Sequence, residues 1–182
     1  LVISGLRGLG YCVVPVYIDK SGNWLIDDGF GEMKTFTADN QDFSSYGKFY
    51  LDLENSHGKM VFKKKGFAGK QIEIDMAFPA FHGAYGEDGT IQGLFEMMNI
   101  PYVGCDVASS AIAMDKSSSK EICLANNIPT TKFVSFAKFD WNKNRKAILD
   151  KISALKEPLF VKPVHLGSSI GISKTDRKAL ED

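Results

Sequence analysis

Apolar positions recur at helical spacing from Leu1 to Leu9 and give way to Gly10, which predicts a short helix with a glycine C-cap. The β-branched run from Tyr11 to Ile18 then reads as a strand ended by the turn Asp19-Lys20-Ser21-Gly22, so helix followed by strand opens the chain in the manner of an α/β sheet. Trp24 to Ile26 fits a short return strand, and Phe49 to Leu53 a strand or a helix end. Between them the pattern is mixed, with Asp39-Asn40-Gln41-Asp42 a polar loop. Met60-Val61-Phe62 and Gln71 to Ile74 flank a Gly66/Gly69 turn and predict a hairpin. Lys63, Lys64 and Lys65 at its end read as a solvated edge that resists aggregation rather than as a nucleic-acid contact.

Asp75 to Phe81 has the pattern of a buried strand and runs into the polar, glycine-rich stretch His82 to Thr90 and a helix from Ile91 to Asn99. Strand, loop and helix in that order build sites in α/β folds, because ligands gather at strand carboxyl ends near helix N-termini. His82 stands at such a corner, either as a structural hydrogen bonder or facing a ligand; Glu87 and Asp88 suit the same loop or cap the helix. A brief strand at Ile100 to Gly104 and a helical piece from Ser109 to Met114 close a parallel-sheet domain near residue 113. A helix from Ser117 to Asn127, a strand at Phe133 to Phe136, a polar loop at Asp140 to Asn144 and an amphipathic helix from Arg145 to Leu155 follow.

The most informative stretch is the last, Pro158 to Lys174. Leu159-Phe160-Val161 reads as a buried strand that Pro163 ends, since proline has no N–H for a ladder. Gly167 and Gly171 free the backbone on either side of Ser168 and Ser169, so successive N–H groups and two hydroxyls can line one anion-sized concavity, with Lys162 supplying charge. A plain solvent-exposed turn accounts for the same residues. Two better-known phosphate fingerprints are excluded: there is no Gly-x-x-x-x-Gly-Lys-Ser/Thr string, and Gly5, Gly8 and Gly10 have the wrong order for a dinucleotide loop.

Composition narrows the classes further. The 182 residues are 44% hydrophobic, enough for one core and a second partial domain. The 22 basic and 22 acidic side chains cancel, which gives no general attraction to nucleic acid or to a membrane surface. Cys12, Cys105 and Cys123 are odd in number and lack metal-ligand spacing, so free thiols in a reducing cytoplasm are the simplest reading. No apolar run approaches the ~18 residues of a membrane span. A start without methionine and an end at Glu181-Asp182, where a helix begins, predict a fragment.

Four motifs occur in order: His82-Gly83-x-x-Gly86-Glu87-Asp88-Gly89-Thr90-Ile91-Gln92-Gly93, Ile100-Pro101-Tyr102-Val103-Gly104, Ala113-Met114-Asp115-Lys116, and Phe160-Val161-Lys162-Pro163 through Gly167-Ser168-Ser169-Ile170-Gly171. On these residues, spread over roughly positions 75 to 175, the chain resembles the D-alanine–D-alanine ligases. Gly104-Cys105-Asp106 is similar to the branch that also holds the D-alanine–D-lactate and D-alanine–D-serine ligases. The resemblance implies an α/β fold: an N-terminal parallel-sheet, Rossmann-like domain over residues 1–113, then a partial ATP-grasp central domain over 114–182. It implies ATP-dependent joining of two D-alanines through an acylphosphate, for peptidoglycan precursor and hence cell-wall synthesis, in a cytoplasmic homodimer that uses Mg²⁺.

Carried over by position, Lys116 and Lys162 contact the phosphates, while the Phe160-Val161 backbone lies beside the nucleotide. Ser168 helps place the first D-alanine, and Ser169 closes over the γ-phosphate. His82 lines the first D-alanine subsite, so Ser168 and His82 are the candidate catalytic residues, with Glu87 a further substrate-binding candidate. The resemblance puts the glutamate that holds the first amino group, the arginine that stabilises the intermediate, the Mg²⁺ ligands and the selector of the second substrate outside this chain, which alone is expected to be inactive. Other readings are a D-lactate or D-serine ligase, another ATP-grasp carboxylate–amine ligase, and a non-catalytic nucleotide-binding relative.

Overall fold

A computed structural model describes residues 1–37, 42–66 and 69–181. Asp39, Asn40 and Gln41 of the expected polar loop, two residues of the Gly66/Gly69 turn and Asp182 lie outside the described residues. The chain divides into two compact units, Leu1–Phe78 with Phe95–Val103, and Pro79–Leu94 with Gly104–Asp182.

The first unit opens with α1 (Val2–Gly8), after which Gly10 takes the left-handed conformation, φ 88°, that its role past a helix end requires. Five strands follow, β1 (Val16–Ile18), β2 (Trp24–Ile26), β3 (Lys48–Leu51), β4 (Met60–Lys64) and β5 (Gln71–Ile74), paired in sequence order. The expected return strand and the 60–74 hairpin are therefore present, while the first strand is shorter than its apolar run. The α/β class holds, but strand pairing differs from the parallel sheet expected: every pairing among these five strands is antiparallel. Residues 19–23 join β1 to β2 and residues 65–70 join β4 to β5, connections too short for the crossover that a parallel neighbour needs. The crossover comes later, where Ala77 bridges Tyr102 in parallel. Met76 and Phe78 beside that bridge are exposed, so the buried strand expected from 75 to 81 shrinks to one residue pair.

Leu25, Phe49, Met60, Val61 and Phe62 form the sheet's core, with Phe62 fully buried. Burying a side chain of this size contributes about 1.5–3 kcal/mol. Tyr17, Phe30, Phe36, Phe43 and Tyr46 add a cluster of tilted and edge-on rings, with Phe30 and Tyr46 centroids 4.7 Å apart. Lys63 departs from the solvated-edge reading. Its strand lies between β3 and β5, and its ammonium sits 2.5 Å from the nearly buried Asp52 carboxylate, which this lysine and Asn55 hold below the usual carboxylate range.

The second unit carries α3 (Val107–Met114), α4 (Lys116–Ala125), α5 (Lys138–Ser153), β6 (Leu159–Val161), β7 (Ser173–Thr175) and α6 (Lys178–Glu181); α2 (Thr90–Met97) begins in it. Ile148, Ile152 and Leu159 form its core, with Val134, Trp141, Leu155 and Leu180 packed alongside. The polar stretch Asp140 to Asn144 is helical, not a loop: Asp140 accepts from the Ala137 N–H at the helix start, Arg145 stacks over Trp141, and the break survives only as a kink at Asn144, φ −136°. Phe133 to Phe136, expected as a strand, is without regular structure. A strand needs a ladder partner, and here the segment is held by side chains instead.

Candidate functional site

The loop His82 to Gly89 is built by its own acids and glycines. Glu87 accepts from the Gly83 N–H at 2.5 Å through one oxygen and approaches His82 Nδ1 at 4.0 Å through the other. Asp88 accepts from the Tyr85 N–H (2.8 Å) and the Thr90 N–H (3.0 Å), the capping role its position suggested. Partial burial works to raise its pKa, yet these donations outweigh it and hold the carboxyl below the usual range. Gln92, buried on α2, donates from Nε2 to the Gly86 carbonyl at 3.1 Å and closes the loop from the helix side. His82 remains exposed.

The second component is the hairpin of β6 and β7, which pair antiparallel with Phe160 opposite Lys174. Lys162 follows β6 directly and is exposed, as are Phe160 and Val161, so the strand expected to be buried buries Leu159 alone. Beyond it the chain turns through Ser168 (φ 49°), Ser169 (φ 61°) and Gly171 (φ 70°). Non-glycine residues in this region cost of order 1–3 kcal/mol each, and such strain is concentrated where a loop must point its N–H groups at a ligand. A Cβ at Gly171 would lie 2.8 Å from Pro163 Cγ, so the turn folds tightly onto the proline that ends β6.

Lys116 joins helix to hairpin. It opens α4, and its backbone N–H donates to the Val164 carbonyl at 3.2 Å while its ammonium donates to the Leu166 and Val164 carbonyls. An ammonium has three N–H groups, so two on the loop leave a third for an anion. His165 Nδ1 stands 3.7 Å from the Asp115 carboxylate, and a Cβ at Gly167 would be 3.9 Å from Glu87 Oε2. Within the second unit, the loop 164–168 thus meets Lys116, Asp115 and Glu87. Sequence reasoning passed over Asp115, Gln92 and the Val164 and Leu166 carbonyls; Asp115 and Gln92 sit inside quoted motifs, but backbone acceptors leave no residue signature.

Asp115 also caps α4, and Asp106 caps α3. The Ser118 backbone N–H holds the Asp115 carboxyl below its ordinary value, and donation from Ser109 does the same for Asp106. A carboxyl with a depressed folded-state pKa contributes stability above its unfolded value, about 3.9, and loses that contribution as pH falls through the lower folded value. Thermal stability should therefore hold flat near neutrality and decline below about pH 4. Asp106→Ala/Asp115→Ala should lower Tm at pH 7 and show a shallower acid decline in circular-dichroism melts. An acid limb unchanged by both substitutions would assign the decline to other groups.

Among the described residues no helix is long and apolar enough to cross a membrane. Family models place the chain. The D-ala D-ala ligase N-terminus model matches residues 2–105, and the D-ala D-ala ligase C-terminus model matches residues 122–181.

The chain belongs to the D-alanine–D-alanine ligase family.

It is 51% identical over 183 residues to the D-alanine–D-alanine ligase of Bacillus cytotoxicus, covering 98% of this chain and 49% of that protein. The D-alanine–D-alanine ligase of Caldicellulosiruptor bescii is 39% identical over 176 residues, covering 93% of this chain and 46% of the relative. The chain spans about half the length of the curated relatives it matches. Among solved structures, the VanG D-Ala:D-Ser ligase from Enterococcus faecalis superposes with a TM-score of 0.77 at 32% identity, covering 99% of this chain and 50% of that one. The D-alanine–D-alanine ligase from Coxiella burnetii also gives 0.77, at 26% identity, over 99% and 51%. The α/β, ATP-grasp-type fold of this ligase family is therefore the fold of the chain.

Proposed function

We propose that the chain is the part of an ATP-dependent D-alanine–D-alanine ligase that handles the triphosphate and the first D-alanine, in the cytoplasmic synthesis of peptidoglycan precursor. Residues 1–113 serve as the N-terminal domain and 114–182 as part of the ATP-grasp central domain. The supporting observation is the grip of Lys116 on the Val164 and Leu166 carbonyls, next to the left-handed serine turn and to Glu87.

A carboxylate is a poor electrophile, and its attack on a γ-phosphate brings anions together, so fixed cations and inward N–H groups must offset the repulsion. Lys116 offers its third N–H and Lys162 its exposed ammonium to the phosphates, while the Phe160-Val161 backbone lies along the nucleotide. Ser168 and His82 face the first D-alanine, Glu87 holds the His82 loop through the Gly83 N–H, and Ser169 covers the γ-phosphate. The carboxylate takes the phosphoryl group, and the amine of a second D-alanine then expels phosphate to form the peptide bond. Among the described residues no three His, Cys, Asp or Glu side chains converge on a cation position, so the donors present do not fit Mg²⁺.

The whole protein carrying this chain should convert D-alanine and ATP to D-alanyl-D-alanine, ADP and phosphate in equal amounts. Parallel reactions with D-serine and D-lactate separate the other ligase classes, of which the similarity to a D-Ala:D-Ser ligase favours D-serine as the second reading. ATP turnover without any ligated product would sink the ligase assignment. Ser168→Ala should cut kcat about 10- to 100-fold with the KM for ATP nearly unchanged, because its hydroxyl acts on the amino acid and the loop. A selective loss of ATP affinity instead would exchange the roles of Ser168 and Ser169.

A further inference from the structure

Helix α4 carries Lys116 at its first position yet has no buried residue along its ten-residue length. A helix without a buried stripe is not oriented by a core, so its roll about its own axis depends on individual tethers. Some of them act near the N-terminus: the Ser119 hydroxyl donates to the Ile112 carbonyl at 2.6 Å, and the Ser117 hydroxyl donates to Ser135. The densest is Lys120. Its ammonium donates to Thr131 Oγ1 at 2.6 Å, the Thr131 carbonyl at 3.0 Å and Thr130 Oγ1 at 3.2 Å, and sits 5.2 Å from the Phe133 ring centroid. All three N–H groups are engaged, with a cation–π contact besides.

Lys116 and Lys120 are four residues apart and share one face of α4. One reaches forward to the loop carbonyls and the other is anchored to residues 130–133. Side-chain tips lie about 5–6 Å from a helix axis, so a roll of only ~10° displaces them by roughly 1 Å. From this geometry we infer that Lys120 is a positioning residue for nucleotide binding: it fixes the roll of α4 and thereby the place of the Lys116 ammonium. The inference rests on the reading that Lys116 meets the phosphates.

The test uses the whole protein with Lys120→Met, which keeps the apolar stem and removes the charge and three hydrogen bonds, and with Lys120→Arg, Lys116→Ala and the Lys116→Ala/Lys120→Met pair. Lys120→Met should lower kcat/KM for ATP about tenfold, since misplacement by ~1 Å is enough to slow a reaction 10- to 100-fold. The KM for D-alanine should stay within twofold, and Lys120→Arg should recover most of the loss. The double variant should be no worse than Lys116→Ala alone, because both act through one ammonium. Additive losses, an equal rise in the KM for D-alanine, or unchanged ATP kinetics would each overturn the inference. An effect in Lys116→Ala with none in Lys120→Met removes this inference alone, whereas no effect in Lys116→Ala removes the phosphate reading with it. If Lys120→Met does not fold, Thr131→Val takes away the nearest acceptor from the other side and should show the same split between ATP and D-alanine.

Discussion

Lys116→Ala in the whole protein should reduce kcat/KM for ATP by about 30- to 1000-fold, the rate equivalent of the ~2–4 kcal/mol lost when a charged partner is removed from a desolvated site. Two losses combine in this one substitution. On the proposed reading the phosphates lose a cation, and the Val164 and Leu166 carbonyls lose the ammonium that holds them against α4. Lys162→Ala removes only an exposed cation beside β6, so it should raise the KM for ATP and lower kcat by less than Lys116→Ala. The pair also separates by a structural reading. Amide hydrogen exchange across residues 164–169 should quicken in Lys116→Ala and stay near the parent rate in Lys162→Ala, because the first variant alone loses the loop tether. Equal kinetics for the parent and Lys116→Ala, with exchange unaltered, would detach this lysine from both phosphate and loop.

The hairpin at 158–174 was legible because its signals are local: an apolar run, a proline that cannot pair, and glycines where the chain reverses. So was the cap of α2, where Asp88 stands two residues ahead of a run able to form a helix. What stayed hidden depends on partners far along the chain. Lys63 looks like one of three solvated lysines until the sheet order places its strand between two others and Asp52 beneath its ammonium. Asp140 to Asn144 looks like a loop by composition, yet Trp141 packs against the second core and pulls the polar residues around it into a helix. Phe133 to Phe136 has strand composition, but composition cannot supply the neighbouring strand. In the candidate site, the family motifs brought attention to Lys116, Lys162, His82, Glu87 and both serines. The acceptors that orient Lys116 are main-chain carbonyls, which any residue provides, and the tethers of Lys120 fall outside the motifs altogether.

The glycines of the 82–93 loop and helix offer a contrast in which one added methyl group should act in opposite directions. Gly89 is buried with φ 91°, and a Cβ there would lie 2.7 Å from the Val107 carbonyl oxygen, a main-chain atom that cannot swing aside. Gly89→Ala therefore meets both a left-handed backbone penalty and a steric overlap. Each is of order 1–3 kcal/mol, so a loss of about 2–6 kcal/mol is expected. Four residues on, Gly93 donates its N–H to Gly89 and sits inside α2, where a Cβ would meet only Val107 Cγ2 at an ordinary 3.8 Å. Gly93→Ala should stabilise by roughly 0.5–1 kcal/mol, since glycine loses more backbone freedom on entering a helix than alanine does. Urea unfolding of the two variants beside the parent reads both signs, as a lower midpoint for Gly89→Ala and a higher one for Gly93→Ala at unchanged slope. Because Asp88 and Glu87 organise the same loop, the Gly89 variant should also weaken D-alanine binding in the whole protein, whereas Gly93→Ala should leave it intact. A Gly89→Ala midpoint equal to the parent's would mean that the loop does not hold this close approach to Val107, and the geometry argued for Glu87 and His82 would fall with it.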